Sequence, residues 1–264
     1  FFPAEAMGFG SLFKGSSTKT RSSRVSSSGG LLPPKSANDR NKKTLVLDLD
    51  ETLIHSEFSR DAGRGCDFKV PIYVDGESGT AYVNKRPYVD EFLRWAGRHF
   101  EVVIFTASLP AYADPLLNKL DRHRVIRYRL YRHHCTNRDG DNIKDLSKIG
   151  RAAKDTILVD NAPVSYKFQK SSGIHVSSWY EDDDDEELLY LMDVLEEFVG
   201  VGDIRDHTKD HGRRSSKDKA SKRAYKKKKA KRKSKAKRRA RYDDTDDSYS
   251  ASYESSDDDS YYSY

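Results

Sequence analysis

Short apolar runs alternate with longer amphipathic segments along the middle of this chain, and this alternation restricts the fold more than any other feature. The apolar runs are TLVLD (44–48), VVIFT (102–106), TILVD (156–160) and GIHVSS (173–178). Consecutive apolar residues over such short lengths are typical of strands that are covered on both faces. These four runs therefore predict the strands of a parallel sheet rather than of an open antiparallel one.

The segments between the runs have helical spacing. They are RPYVDEFLRWAGRH (86–99), LPAYADPLLNKLDR (109–122) and DDEELLYLMDVLEEFVG (184–200). Pro87 and Pro110 suit helix starts and Gly200 suits a helix end. Residues 68–86 instead predict a β-hairpin that turns at DGESG. Strands that alternate with helices predict an α/β fold with a central parallel sheet flanked by helices, here with a small hairpin insertion.

Charge is distributed unevenly over the 264 residues. Residues 44–204 carry 20 basic and 29 acidic residues, whereas both flanks are strongly basic overall. We therefore predict a central domain at 43–204, a disordered basic leader at 1–42 and a disordered tail at 205–264. The tail is basic over 213–241 and acidic over 242–264. The Lys/Arg-rich tail could be a nuclear-localisation signal, it could bind nucleic acid or an anionic surface, or it could serve only for solubility.

The cysteine count, the length of the apolar runs and one acidic run further restrict the class of protein. Two cysteines, Cys66 and Cys135, are too few for a disulfide framework and indicate a reducing compartment. No apolar run has the length of a transmembrane helix. The acidic run EDDDDEE (181–187) is interpreted as a solvated start of the last helix, where acids complement the helix dipole.

Polar residues stand at the ends of the predicted core strands. Asp48, Thr106 and Asp160 end three of them, and Asn161 follows directly. Functional groups gather at the carboxyl ends of parallel strands, so we expect these side chains to meet. Asp50 lies two positions after Asp48, which directs both carboxylates to the same side of an extended backbone.

This set of residues suits phosphoryl transfer. Carboxylates favour a hard cation such as Mg²⁺, and an aspartate can accept a phosphoryl group. The chemistry further needs a cation and a hydroxyl to bind the phosphoryl oxygens, and Lys144 and Thr106 meet that need.

The same residues carry a resemblance to a known family. DLDETL resembles the first motif, DxDx[TV], of haloacid-dehalogenase-type phosphatases. KRPYVDEFL, FTASLPAYADPLLNKLD, IKDLSKIGR and ILVDNAP are together similar to the small C-terminal-domain phosphatases of RNA polymerase II and to their Dullard-like relatives at the nuclear envelope. The resemblance covers about residues 43–200 and implies a Rossmann-like fold of the haloacid dehalogenase type.

The resemblance also implies roles for individual residues. Asp48 would be the nucleophile, and Asp50 the general acid and then the general base. Thr106 and Lys144 would bind the phosphoryl oxygens. The Mg²⁺ ligands would be drawn from Asp48, the backbone carbonyl of Asp50, Asp160 and Asn161. Phe58 and Tyr112 would offer apolar faces to a phosphopeptide, and Arg132 could pair with a phosphate.

These roles predict a Mg²⁺-dependent protein serine/threonine phosphatase that acts on the RNA polymerase II C-terminal repeat or on another nuclear phosphoprotein. We expect a monomer in the nucleus, with the nuclear envelope or the cytoplasm as alternatives. Three other functions stay open at this point. One is a small-molecule phosphatase of the same superfamily, and another is a non-catalytic binding protein comparable to the related mitochondrial import receptors. The third is a protein that chiefly binds nucleic acid through its tail.

Overall fold

The structure is a computed structural model, and it describes residues 29–58, 65–74 and 76–206. The strands in these ranges are β1 (Lys43–Leu47), β2 (Ile54–Glu57), β3 (Phe68–Val74), β4 (Glu77–Lys85), β5 (Phe100–Phe105), β6 (Ile126–Leu130), β7 (Thr136–Arg138), β8 (Asp141–Ile143), β9 (Thr156–Asp160) and β10 (Gly173–His175). The α-helices are α1 (Val89–His99), α2 (Pro110–Leu120) and α3 (Glu187–Glu196). The predicted basic run 213–241, the acidic run 242–264 and most of the predicted leader lie outside the described residues.

Five strands form a parallel sheet in the order β10-β9-β1-β5-β6. β1 lies at its centre, and every residue of β1 is buried. Leu47 is in register with Ile104 of β5 and with Val159 of β9, so these three strands end at the same edge of the sheet. The predicted central parallel sheet is confirmed, and its carboxyl-terminal edge is the place where the predicted site residues should meet.

Alternate residues of the sheet belong to two separate hydrophobic clusters. Leu45 and Leu47 pack in the cluster that contains the buried residues of α1, α2 and α3. Val46 packs in the other cluster, which includes Leu146, Ile149 and Tyr166 from short 3-10 segments and their neighbours. Because side chains alternate between the faces of a strand, the two clusters cover opposite faces. Helical elements therefore flank both sides of the sheet.

The insertion between β1 and α1 is a three-stranded antiparallel sheet in the order β2-β4-β3. β3 and β4 form the predicted hairpin, with Val74 in register with Glu77. β2 was not predicted from the sequence, because the four residues IHSE carry two ionisable side chains and follow directly on the acidic loop. Nor was β6, an edge strand with the sequence IRYRL that is only half-buried.

Residues 29–42 differ from the prediction of a disordered leader. The side chain of Leu32 is 3% exposed and packs in the second cluster. The N–H groups of Leu31 and Leu32 donate to the carbonyls of Lys148 and Ile149, at 2.8 and 3.1 Å. Gly30 crosses Gly150 so closely that a Cβ atom on Gly30 would lie 2.5 Å from the Cα of Gly150. The buried side chain of Leu32 and these two backbone hydrogen bonds anchor a segment whose composition is otherwise typical of disorder.

Two further expectations concern the compartment and the membrane. Cys66 and Cys135 are free, half-buried thiols. Among the helices in the described ranges, none is long and apolar enough to cross a bilayer.

Candidate active site

The loop after β1 places two carboxylates at the edge of the sheet. The Asp48 N–H still donates to the carbonyl of Val159 in β9, at 3.0 Å, so Asp48 continues the strand. Glu51 then adopts a left-handed conformation with φ of 56°, and the N–H of Leu53 returns to the carbonyl of Leu49 at 2.9 Å. This tight turn keeps Asp48 and Asp50 at the carboxyl end of the central strand instead of letting the chain run on into solvent.

Lys144 lies between two aspartates. Its ammonium group donates to Asp48 Oδ1 at 2.5 Å and to Asp160 Oδ2 at 2.6 Å. The lysine follows β8 and is 1% exposed, and its backbone N–H donates to the carbonyl of Ser165 at 2.8 Å. Burial by itself lowers the pKa of Lys144, but the charges of Asp160 and Asp48 outweigh it and hold that pKa above its usual value. Lys144 is therefore a fixed positive charge in the site.

Asp48 is itself deeply buried, and this affects its ionisation. Burial raises the pKa of Asp48 to about 7, the charge of Lys144 opposes that rise, and the charge of Asp160 adds to it. The second oxygen of Asp48 accepts a hydrogen bond from the hydroxyl of Thr52 at 3.0 Å. Each oxygen of this carboxylate therefore has a donor within the protein, which fixes the plane of the group.

Asp50 is surrounded by hydroxyl groups. Tyr112 donates its phenolic proton to Oδ1 at 2.6 Å, and Ser108 donates to Oδ2 at 2.8 Å. The hydroxyl of Thr106 lies 3.4 Å from Oδ2 and accepts the N–H of Ser108 at 2.9 Å. Burial raises the pKa of Asp50, and the hydrogen bonds from Tyr112 and Ser108 oppose that rise. A half-buried carboxyl group with a raised pKa is suited to carry a proton.

Asn161 completes the group of polar residues at this edge. Its amide N–H donates to the hydroxyl of Ser178 at 2.9 Å, which leaves its carbonyl oxygen 3.4 Å from the Thr52 hydroxyl. The same hydroxyl binds Asp48, so one oxygen of Asp48 and one of Asn161 approach each other around Thr52. Asp160 uses its other oxygen to accept the N–H of Ala162 at 2.7 Å.

The donor set fits a hard cation, although it differs in detail from the predicted one. Within residues 29–58, 65–74 and 76–206, no three His, Cys, Asp or Glu side chains form a metal-binding group. Lys144 separates Asp48 from Asp160. The oxygens close to the Thr52 hydroxyl come from the Asp48 carboxylate and the Asn161 amide, and such oxygen donors suit Mg²⁺.

The three predicted substrate-binding residues lie near Asp50 but differ in exposure. Phe58 is half-buried, and its ring centroid lies 6.1 Å from that of Tyr112. Tyr112 is only 4% exposed and binds Asp50, so it does not offer the open apolar face that the sequence analysis expected. Arg132 is half-exposed and donates from Nε to the carbonyl of Ala107 at 2.6 Å. Its guanidinium group therefore borders the segment that carries Ser108.

Three residues that support these groups were not predicted from the sequence, namely Thr52, Ser108 and Ser178. Thr52 lies inside the DLDETL motif and Ser108 inside FTASLP, so the motifs themselves contained the signal. Ser178 ends the run GIHVSS that was predicted as a strand, but β10 ends at His175 and Ser178 lies in the connection that follows.

A carboxylate pair, a buried lysine and an aspartate–asparagine pair at one edge of a parallel sheet form an arrangement that suits phosphoryl transfer. Residues 43–205 match the family "NLI interacting factor-like phosphatase", and the chain belongs to this family. The resemblance found in the motifs is thereby confirmed.

Individual relatives agree with the family match. The chain is 52% identical over 163 residues to a "Probable C-terminal domain small phosphatase" of Dictyostelium discoideum, covering 62% of this chain and 53% of that protein. It is 47% identical over 174 residues to the "Carboxy-terminal domain RNA polymerase II polypeptide A small phosphatase 2" of Homo sapiens, covering 66% of this chain and 64% of that protein.

The chain thus spans about half the length of the first of these relatives. The solved structure of Fcp1, an essential RNA polymerase II CTD phosphatase, aligns with 65% of this chain and 48% of its own, at 20% identity and a TM-score of 0.46. That similarity is too low to bear on the function.

Proposed function

We propose that the protein is a Mg²⁺-dependent protein serine/threonine phosphatase that works through an aspartyl-phosphate on Asp48. The observation that carries this proposal is the position of Asp48, which is fixed at the end of the central strand with the ammonium group of Lys144 at 2.5 Å. Asp50, two residues further on, is held by hydroxyl groups. A nucleophile beside a positive charge, with a proton carrier next to it, is the arrangement that phosphate ester hydrolysis requires.

The first step is a phosphoryl transfer. An oxygen of Asp48 attacks the phosphorus, and the bond from phosphorus to the serine or threonine oxygen breaks. Asp50 gives its proton to the departing oxygen, so the substrate leaves as an alcohol. In the second step a water molecule attacks the phosphorus of the aspartyl-phosphate and gives a proton to Asp50. The bond to Asp48 breaks, inorganic phosphate leaves, and both aspartates return to their starting states.

Lys144 and Thr106 are proposed to bind the phosphoryl oxygens during both steps. Lys144 is buried and charged, and it already contacts the nucleophile, so a phosphoryl group on Asp48 would lie next to its ammonium group. The Thr106 hydroxyl lies on the Asp50 side of the site. Lys144 would therefore contact the phosphoryl group on the side of Asp48, and Thr106 would contact it on the side of Asp50.

Asp48, Asn161 and the backbone carbonyl of Asp50 would hold the Mg²⁺ ion. Asp160 was predicted to join them, and its contact with Lys144 supports a second use as the counter-charge of that lysine. When bound, Mg²⁺ neutralises negative charge on the phosphoryl group. Thr52 and Ser178 orient the side chains of Asp48 and Asn161 toward the place where the ion would lie.

The proposed substrate is a phosphoprotein, either the RNA polymerase II C-terminal repeat or another nuclear protein. The names of the relatives support this choice. The small insertion β2-β4-β3 also supports it, because a three-stranded sheet is a small cover that suits a protein-sized substrate. Nuclear location and a monomeric state belong to the same proposal. The retained Asp48–Lys144–Asp160 group speaks against a purely binding function.

The test is phosphate release from phosphoserine peptides, including heptad repeats of the polymerase tail, with sugar phosphates as competing substrates. Reactions with Mg²⁺ and with EDTA are run beside Asp48→Asn, which keeps the shape of the side chain but removes the nucleophile. We expect Mg²⁺-dependent release that the variant loses. Preference for sugar phosphates would favour the small-molecule phosphatase. No turnover of any substrate by the folded protein would refute catalysis.

A further inference from the structure

A buried arginine lies behind the candidate active site. Arg86 follows β4 and is 1% exposed. Its Nε and Nη2 atoms donate to the two oxygens of Asp185 at 2.8 and 2.9 Å. Nη1 donates to the carbonyls of Thr52 and Ser177 at 3.2 and 2.9 Å, and Nη2 also donates to the Ser177 hydroxyl at 3.1 Å. All three guanidinium nitrogens therefore have acceptors in the protein.

These acceptors belong to two segments that touch the site. Thr52 lies in the loop after β1, and its hydroxyl binds Asp48 at 3.0 Å. Ser177 precedes Ser178, whose hydroxyl accepts the amide N–H of Asn161 at 2.9 Å. The segments are also joined directly, because the N–H of Trp179 donates to the carbonyl of Glu51 at 2.8 Å. Arg86 therefore links, through one residue in each segment, the nucleophile and the asparagine of the site.

Asp185 fixes the other side of the arginine. It also accepts the N–H of Glu187 at 3.0 Å, at the start of α3. The prediction of a solvated acidic run therefore fails at this residue, since the Asp185 side chain is 13% exposed and forms a bidentate ion pair. A planar guanidinium group bound to a carboxylate at two points permits little rotation.

Stability alone does not explain such a pair. Taking a guanidinium and a carboxylate out of water is unfavourable, and apolar residues of the same size often stabilise a fold equally well. What an apolar side chain cannot do is bind two carbonyl groups in two different loops. We propose that the Arg86–Asp185 pair is a positioning unit that fixes the side chain of Asp48 relative to the side chain of Asn161. This inference rests on the proposed function.

The molecule contains a matched pair at the other end of the sheet. Arg151 donates from Nε and Nη2 to the two oxygens of Glu101 at 2.8 and 2.7 Å, and both side chains are almost fully buried. Glu101 also accepts the hydroxyl of Thr44, which lies near the start of β1. Thr44 is four residues before Asp48, about 13 Å along an extended strand. A variant of this pair loses a similar ion pair without touching the site.

The experiment compares Asp185→Asn and Arg86→Lys with Glu101→Gln and Arg151→Lys. Each variant is assayed for kcat and KM with a phosphopeptide at saturating Mg²⁺, below its own melting temperature. We expect kcat of the Asp185 and Arg86 variants to fall about 10- to 100-fold, as for other supports of metal-site residues, with little change in KM. The Glu101 and Arg151 variants should melt at lower temperature and keep the kcat of the wild type. Asp185→Asn is the decisive variant if Arg86→Lys does not fold.

Hydrogen exchange supplies a readout that needs no activity. The Trp179 N–H donates to the carbonyl of Glu51, and we expect this amide to exchange faster in Asp185→Asn than in the wild type but not in Glu101→Gln. If the wild type hydrolyses no phosphoester, the proposed function fails while this measurement still tests the positioning role. Equal losses of kcat in both pairs, or an unchanged Trp179 amide in Asp185→Asn, would overturn the inference.

Discussion

Replacing Lys144 with an uncharged residue should destabilise the fold, because Asp48 and Asp160 would then repel each other. In Lys144→Met, Asp48 and Asp160 would face each other across the space that the ammonium group occupies. The contacts of 2.5 and 2.6 Å place the facing oxygens at most about 5 Å apart, which corresponds to about 3 kcal/mol of repulsion at an effective dielectric constant near 20. Breaking a buried ion pair on one side typically costs about 3–5 kcal/mol, which agrees with that value.

The loss of stability in Lys144→Met should be larger at high pH than at low pH. Burial already raises the pKa of Asp48 to about 7, and loss of the lysine charge raises it further. A carboxyl group whose pKa is raised by folding destabilises the fold by an amount that grows as the pH rises above the unfolded-state pKa of 3.8 and is complete above the folded-state pKa. Lys144→Met should therefore be least stable near pH 8 and should approach the stability of the wild type near pH 5.

The assay is urea denaturation in EDTA at both pH values, with Lys167→Met as the control. Lys167 forms a partly exposed pair with Asp141 at 2.9 Å, and loss of such a pair costs at most about 1 kcal/mol. If Lys144→Met is no less stable than this control near pH 8, or if its deficit does not shrink toward pH 5, the reasoning about the buried charges is wrong.

Three shorter predictions concern other parts of the molecule. Tyr112→Phe should lower kcat for a phosphoserine peptide more than for p-nitrophenyl phosphate, because the missing hydroxyl leaves Asp50 poorly oriented and only the alkyl leaving group needs its proton; equal losses would contradict this. Leu32→Ala should lower the free energy of unfolding by about 2–5 kcal/mol, whereas Leu31→Ala, at a 40% exposed leucine, should have a small effect in the same melt. Asn161→Ala should weaken the Mg²⁺-induced rise in melting temperature, and an unchanged rise would remove the amide from the proposed metal site.

The sequence predicted the meeting of the site residues because parallel strands end together. Asp48, Thr106 and Asp160 each follow or end a buried run, and the register of β1 with β5 and β9 brings those ends to one edge. This inference needs only the apolar runs and their direction, both of which are local features. The roles of these residues remain proposals, whereas the parallel sheet that holds them is observed.

What the sequence could not predict depends on contacts between distant residues. Arg86 and Asp185 are 99 positions apart, and nothing in a run of acids distinguishes the one that becomes buried. Leu32 lies in a Ser- and Pro-rich segment, and both its packing on the second face of the sheet and its backbone bond to Ile149 involve residues more than 100 positions away. For Tyr112 the residue type suggested an apolar surface, but its position in the first turn of α2 directs the hydroxyl to Asp50.

The two carboxylates of the DxD motif have partners of different kinds, and this difference supports the proposed division of their work. Asp48 contacts the ammonium group of Lys144, whose charge opposes the rise of the Asp48 pKa and so favours the ionised form that a nucleophile needs. Asp50 contacts the hydroxyls of Tyr112 and Ser108. A hydroxyl group can either donate or accept a hydrogen bond, so it can bind the carboxylate and the carboxylic acid alike. An acid that must lose a proton in one step and regain it in the next needs partners of this kind, whereas a lysine beside Asp50 would stabilise only one of the two states.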